Sequence, residues 1–289
     1  MIPDVRIATV RIRIIGSTTK IPSLDWWKSM PKVSLVNLGN TKLKVSKLGF
    51  GTADFGVPSL NISPEEGGRI LRESYKLGVN FWDTSDDYGS HPHVASALKH
   101  VPRKEVVIST KTYAESRLEA EKSLKNSLKE LDTDYVDIFL LHFVKSDWIE
   151  GCREVLKELS DMKATGTVKA IGLSTHSVTV VREAALFEEL DVIMTICCNA
   201  DQAMINKFRS IFTLEDGSIE EMFYAIRLAH SSGKGICAIK VLGGSSPPLV
   251  ENYQSSIKAI AKLDFVDTVV IGMRSLDEVK NNVKVILSD

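Results

Sequence analysis

Gly49-Phe-Gly-Thr-Ala-Asp-Phe-Gly56 decides between two ways of building this chain. It spans the end of the first strand, and the turn after it, of a long alternation of short apolar runs and amphipathic segments. In an open, doubly wound sheet that place carries a phosphate loop of the G-x-G-x-x-G kind. The glycines here have a different spacing, so the reading favours a closed barrel. Eight short runs read as buried parallel strands: Leu48-Gly51, Val79-Asp83, Val106-Thr110, Val136-Leu141, Ala170-Leu173, Asp191-Ile196, Ile236-Val241 and Thr268-Ile271. Helix-period segments lie between them at Pro64-Leu77, Leu118-Leu131, Ile149-Thr165, Val178-Leu190 and Ile219-Ser232, and Leu276-Leu287 closes the chain. Ser63 before Pro64 and Ser177 before Val178 are N-cap signals, and Gly78, Gly166 and Gly233 are stop signals. Strand and helix in strict alternation imply crossover connections and a parallel sheet, and eight such units close into a (β/α)8 TIM barrel of the α/β class.

The 289 residues suit one such barrel. Lys32 to Ser46 reads as an N-terminal β-hairpin turning at Gly39-Asn40. Residues 1-30 fit no barrel unit, so the expected division is an N-terminal extension over 1-30 and a barrel over 31-289. Everything interpretable begins after Met30, which points to translation starting there, and the intact mass of protein from its native host tests this. With 36 basic and 37 acidic residues there is no net field to attract nucleic acid or an anionic membrane. No apolar run is long enough to span a bilayer, and the N-terminus lacks the apolar core of a signal peptide. The expectation is a cytoplasmic protein, a monomer or small homo-oligomer, acting on a small molecule. Cys152, Cys197, Cys198 and Cys237 form no CxxC pair, so no metal site is expected.

In a barrel of this kind chemistry sits at the C-terminal ends of the strands. Four residues fall there: Asp83 at the tip of Phe81-Trp-Asp83, Tyr88 in the following loop, Lys111 after Ile108-Ser-Thr, and His142 after Phe139-Leu-Leu. Each alone has a structural explanation: a turn cap, a packed ring, a snorkelling amine, a satisfied core histidine. Together they make chemical sense. Asp83 supplies the counter-ion that a buried ammonium requires. A charged Lys111 favours the phenolate and is expected to lower the Tyr88 pKa. Tyr88 then serves as general acid and base on a carbonyl or alcohol oxygen that His142 orients.

The segments Val79-Asn-Phe-Trp-Asp-Thr-Ser-Asp-Asp-Tyr-Gly89, Val107-Ile-Ser-Thr-Lys-Thr112, Asp134-Tyr-Val-Asp-Ile-Phe-Leu-Leu-His142 and Val168-Lys-Ala-Ile-Gly-Leu-Ser174 resemble aldo-keto reductases. So do Leu38 to Thr52 and Val270 to Asn282, and the resemblance runs in order from about residue 32 to the C-terminus. It implies an oxidoreductase moving a hydride between NADP(H), in preference to NAD(H), and the carbonyl or alcohol group of an aldehyde, ketone or sugar. Asp83, Tyr88, Lys111 and His142 match the family's catalytic tetrad. The resemblance places Gly51 and Thr52 beneath the nicotinamide, with Ser174, Thr175 and Asn199 holding its carboxamide side. Lys240, Leu242 and Gly243 match the pyrophosphate loop. Gly272, Met273, Arg274 and Ser275 lead into a helix N-terminus, a natural phosphate site, while Glu278 stands where many NADP-preferring members carry arginine. Asn281 and Asn282 match the adenine contacts. Ile239 is aliphatic where many members stack an aromatic ring. The substrate pocket is expected to be open and walled by Trp82, Tyr113, Phe143 and Trp148. Two other functions stay open on sequence: a cofactor-binding redox sensor or scaffold with little turnover, and a Schiff-base enzyme using Lys111, which pairing with Asp83 disfavours.

Overall fold

In the computed structural model the described residues are 31–56, 59–198, 214–242 and 253–288. The stretch read as an N-terminal extension, together with Asn199 and Gly243, lies outside them. A hairpin of β1 (Leu35–Asn37) and β2 (Lys44–Ser46) comes first, paired antiparallel as expected. Eight parallel strands follow: β3 (Leu48–Gly51), β4 (Phe81–Asp83), β5 (Val107–Thr112), β6 (Val136–Leu141), β7 (Val168–Thr175), β8 (Val192–Ile196), β9 (Gly235–Ile239) and β10 (Thr268–Gly272). Each pairs with the next in chain order and β10 closes back onto β3, so the sheet is a closed barrel.

The helices between them are α1 (Pro64–Lys76), α2 (His91–Leu98), α3 (Arg117–Leu131), α4 (Ile149–Ala164), α5 (Val178–Ala184), α6 (Ile219–Ser231), α7 (Tyr253–Ala261) and α8 (Leu276–Leu287). Serine starts five of them: the hydroxyls of Ser63, Ser116, Ser177, Ser218 and Ser275 each accept a backbone N–H three residues on, which satisfies a donor the helix itself cannot. At α6 the cap is reciprocal, since Glu221 reaches back to the Ser218 N–H. The sequence reading carried the fifth helix to Leu190, but it stops at Ala184; Phe187 and Leu190 are buried through the turns that follow, so their apolar spacing reports burial and not helix. It passed over α2 and α7, which have eight and nine residues and too few turns to show a clear period.

Alternation along the strands separates two apolar layers. Phe81, Val107, Ile138, Leu140, Ala170, Val192, Met194, Cys237 and Val270 fill the barrel interior, and Leu38, Leu43 and Val45 of the hairpin close it at the N-terminal end. The Asp267 carboxylate fastens that closure by accepting from Gly39 N (3.0 Å) and Ile236 N (2.8 Å). The lower barrel is therefore sealed with hydrocarbon, and polar side chains are left to the C-terminal mouth.

Candidate active site

Because Phe81 faces the interior, Asp83 two residues later does too, and Trp82 between them faces the helices. Trp82 is fully buried, with its indole N–H donating to Val79 O at 3.3 Å. It therefore packs behind the barrel, which corrects the expectation that it walls the pocket. The same period brings Lys111 inward on β5, one strand over, and His142 follows β6 with its N–H donating to Thr112 O at 2.7 Å.

Lys111 is buried, and its Nζ donates to Asp83 Oδ2 (2.8 Å) and Thr84 O (2.7 Å), with Tyr88 Oη at 3.5 Å. Burial by itself favours a neutral amine, but Asp83 and Tyr88 outweigh it and hold the Lys111 pKa above its ordinary value. Asp83 Oδ1 is buried and has no hydrogen-bond partner among the described residues. The loop carrying Tyr88 is fixed at several points: Thr84 N and Asp86 N donate to Ser109 O (2.8 Å) and Lys111 O (3.1 Å), and Ser90 Oγ lies 2.8 Å from Thr52 Oγ and 2.7 Å from Thr84 Oγ. Gly56 makes room for it, since a Cβ there would stand 1.9 Å from the Tyr88 carbonyl oxygen. Tyr88 thus sits on a preorganised loop beside an ammonium.

Its acidity differs from the sequence expectation. Burial raises the Tyr88 pKa, Lys111 lowers it, Asp83 and Asp87 raise it, and the sum lies above the ordinary phenol value. The lysine acts in the expected direction, but desolvation of the phenolate dominates. His142 Nδ1 meets Ser85 Oγ at 3.1 Å and Asp87 Oδ1 at 3.5 Å, and among the described residues nothing hydrogen-bonds Nε2. The Tyr88 ring meets the imidazole edge-on at 5.7 Å, and Tyr113 lies over it at 4.5 Å. The four expected residues therefore converge on one place. Ser85 and Asp87 join them, and sequence reasoning passed over both; the only signal was the doubled carboxylate of Asp86-Asp87 before Tyr88. Tyr113 and Phe143 are the exposed aromatics at this rim, and His176 packs edge-on against Phe143 at 4.7 Å. Trp148 lies in the turn that leads into α4.

The remaining candidates divide. Gly51 and Gly272 are paired at the ends of β3 and β10, which leaves a stretch of mouth with no side chains. Thr52 is buried, and its hydroxyl donates to Asp83 O at 2.9 Å, so it ties two strand ends together. Ser174 Oγ faces inward but accepts from Phe143 N at 2.9 Å. Thr175 is turned away: its buried hydroxyl donates to Val144 O (2.7 Å) and accepts from Ser177 N (3.0 Å). Lys240 has a left-handed backbone (φ 59°) just after β9, with Leu242 close behind in the following turn. Met273 is fully buried, so only its backbone can face a ligand. Glu278 accepts from Arg274 N (2.8 Å) and from Arg274 Nη2 (3.0 Å), next to the Ser275 cap of α8. On that helix Asn281 is exposed and Asn282 is buried.

Among the described residues no group of histidine, cysteine or acidic side chains could hold a metal ion, and no helix is long and apolar enough to cross a membrane. L-galactose dehydrogenase of Arabidopsis thaliana is 29% identical to this chain over 281 residues, covering 88% of each. The NADH-specific methylglyoxal reductase of Escherichia coli is 28% identical over 199 residues, 60% of this chain and 61% of that protein. The apo structure of an aldo-keto reductase from Bacillus halodurans superposes with a TM-score of 0.67 at 25% identity, over 89% of this chain and 91% of that one. A sequence model of the aldo/keto reductase family matches residues 47–244, more than half the chain and a span that holds all four converging residues. This chain belongs to the aldo/keto reductase family.

Proposed function

We propose that the chain reduces the carbonyl group of an aldehyde, ketone or sugar, or oxidises the matching alcohol, with Tyr88 as the proton donor and acceptor. The observation that carries this is the buried Asp83–Lys111 pair placed beside the Tyr88 hydroxyl. The pair keeps a fixed positive charge next to the one oxygen that must release a proton as negative charge develops on the substrate. The raised Tyr88 pKa keeps the phenol protonated in the resting protein, which suits a donor. In the reductive direction the Tyr88 proton passes to the substrate oxygen, Lys111 stabilises the phenolate left behind, and solvent restores the proton. His142 Nε2, which nothing among the described residues hydrogen-bonds, is available to the same oxygen. The aromatic rim of Tyr113 and Phe143 suits small carbonyl compounds of several kinds.

The family works with nicotinamide cofactors, and a bound nicotinamide supplies the hydride. Residues suited to it are present: the side-chain-free mouth at Gly51 and Gly272 gives a flat ring room to lie, Lys240 and Leu242 follow β9, and Arg274 stands at a helix N-terminus, where an anion is favoured. Arg274 supports the expected NADP(H), but the Glu278 carboxylate on its guanidinium offsets that charge. We therefore propose use of NADPH with weak discrimination against NADH. Titration of tryptophan fluorescence with each nucleotide, followed by turnover of a panel of aldehydes and ketones, tests the reading. Binding with turnover is the expected result. Binding without turnover on a broad panel transfers the chain to the sensor reading, and binding of neither nucleotide overturns the proposal.

A further inference from the structure

His142 sits in a cage that the four converging residues do not explain. Nδ1 faces Ser85 Oγ at 3.1 Å and Asp87 Oδ1 at 3.5 Å, while the rings of Tyr113 and Tyr88 cover the imidazole. The other titratable groups around this corner are Asp86 on the same loop, Lys111 behind Tyr88, His176 after β7 and Lys240 after β9. Asp86 is turned to α3, where it accepts from Ser123 Oγ at 2.7 Å, and Lys111 is committed to Asp83. Burial, with Lys240 and His142 adding to it, lowers His176 to about 4, so it is neutral at working pH. Asp87 is therefore the one carboxylate in contact with the His142 ring among the described residues.

An ionised carboxylate can only accept hydrogen bonds. Although burial acts to raise the Asp87 pKa, hydrogen bonds from His142 and Ser85 bring it to about 2, so it is ionised at every working pH. The Ser85 hydroxyl has one hydrogen, and both other partners within its reach, the Asp87 carboxylate and Lys111 O at 3.5 Å, are acceptors. The Ser85 lone pairs are thereby left towards His142. Both neighbours of Nδ1 then accept, and the proton must lie on Nδ1.

Building on the carbonyl reduction proposed above, we propose that Asp87 is a positioning residue that fixes the proton of neutral His142 on Nδ1, so that His142 donates from Nε2 only as the imidazolium. Neutral His142 then presents a lone pair at Nε2, which accepts the hydroxyl proton of an alcohol and cannot donate to a carbonyl. Reduction accordingly draws on the doubly protonated ring and oxidation on the neutral one. Burial raises the Tyr88 pKa, so the phenol is protonated in the resting protein and does not set this requirement.

Asp87→Ala tests this. Its side chain is 43% exposed on a surface loop, so the substitution leaves the fold intact, which circular dichroism checks. Without the carboxylate, the Ser85 hydroxyl can turn and donate to Nδ1, and neutral His142 can carry its proton on Nε2. In the wild type, kcat/KM for aldehyde reduction should fall about tenfold per pH unit on the alkaline side, as for a single required proton. In Asp87→Ala it should change less than about threefold across the same interval, with nucleotide affinity within about twofold of wild type. Ser85→Ala, which keeps the carboxylate, should keep the limb. Ring-nitrogen NMR of the resting protein at alkaline pH should show Nδ1–H in wild type and Nε2–H in Asp87→Ala. A wild-type ring protonated on Nε2, the same tautomer in both proteins, or superimposable pH profiles would overturn the proposal. The NMR needs neither substrate nor nucleotide, so a protein that turns over no carbonyl overturns the proposed function while the tautomer is still decided.

Discussion

Lys111→Met tests the centre of the site through stability alone. In the wild type Lys111 Nζ and Asp83 Oδ2 are 2.8 Å apart, and both side chains are almost wholly buried. At an effective dielectric of about 20 their attraction is ~6 kcal/mol. Desolvating the two ions costs several kcal/mol each, so the intact pair contributes little net stability. The single substitution is different. It removes the attraction and leaves the cost of the buried carboxylate, whose Oδ1 already lacks a partner among the described residues, and it takes the donor from Thr84 O. Breaking a buried pair in this way costs about 3–5 kcal/mol. For a large domain that lowers Tm by roughly 10 °C. The assay is urea unfolding at pH 7 followed by circular dichroism, with Asp83→Asn/Lys111→Met alongside. The double variant buries no charge and should recover a large part of the loss. A single variant within about 1 kcal/mol of wild type would refute the reasoning, as would a double variant no more stable than the single one.

Tyr88→Phe deletes only the proton donor; carbonyl reduction should fall by about 10²–10⁴ while the nucleotide dissociation constant stays unchanged, and near-wild-type turnover would take Tyr88 out of its role. Glu278→Arg removes the carboxylate that offsets Arg274 and adds a second cation, so the ratio of NADPH to NADH affinity should rise by about tenfold or more, comparable to one charge-assisted hydrogen bond; an unchanged ratio places the ribose elsewhere. His176 predicts a pH effect on folding. Burial lowers its pKa to about 4, whereas the unfolded chain titrates near 6.5. Between those values the unfolded state binds the proton and the folded state does not, so stability is present above pH 6.5 and is lost as pH falls towards 4. His176→Gln should flatten that part of the Tm–pH curve, and an unaltered slope would show that His176 is not its source.

Much of the architecture is legible in local sequence. The eight short β-branched or aromatic runs, the serines before Pro64 and Val178, and the hairpin turn at Gly39-Asn40 are short-range signals, because a strand, a cap or a turn depends on a few consecutive residues. The barrel followed from their alternation. Asp83, Tyr88, Lys111 and His142 could be identified because strand ends in a barrel point to one mouth, so position along the chain translates into position in space. The sequence of Phe81-Trp-Asp83 contained the period that turns Trp82 away from the pocket, but Phe81 and Trp82 are both aromatic, so residue type alone does not mark which of them takes which face.

What only the tertiary structure decided is the environment of each group. The sign of the Tyr88 shift depends on desolvation summed over every neighbour, and that sum exceeds the effect of Lys111. Thr175 and Ser174 are adjacent in sequence, yet one hydroxyl is consumed by Val144 and Ser177 behind the sheet while the other faces the interior. Asp87 acquires its meaning from His142, fifty-five residues further along the chain and beyond two strands. Composition and spacing select the fold because secondary structure is local. The proton positions that decide the chemistry are set by contacts between residues remote in sequence, which closing the barrel brings to within 3 to 4 Å of one another.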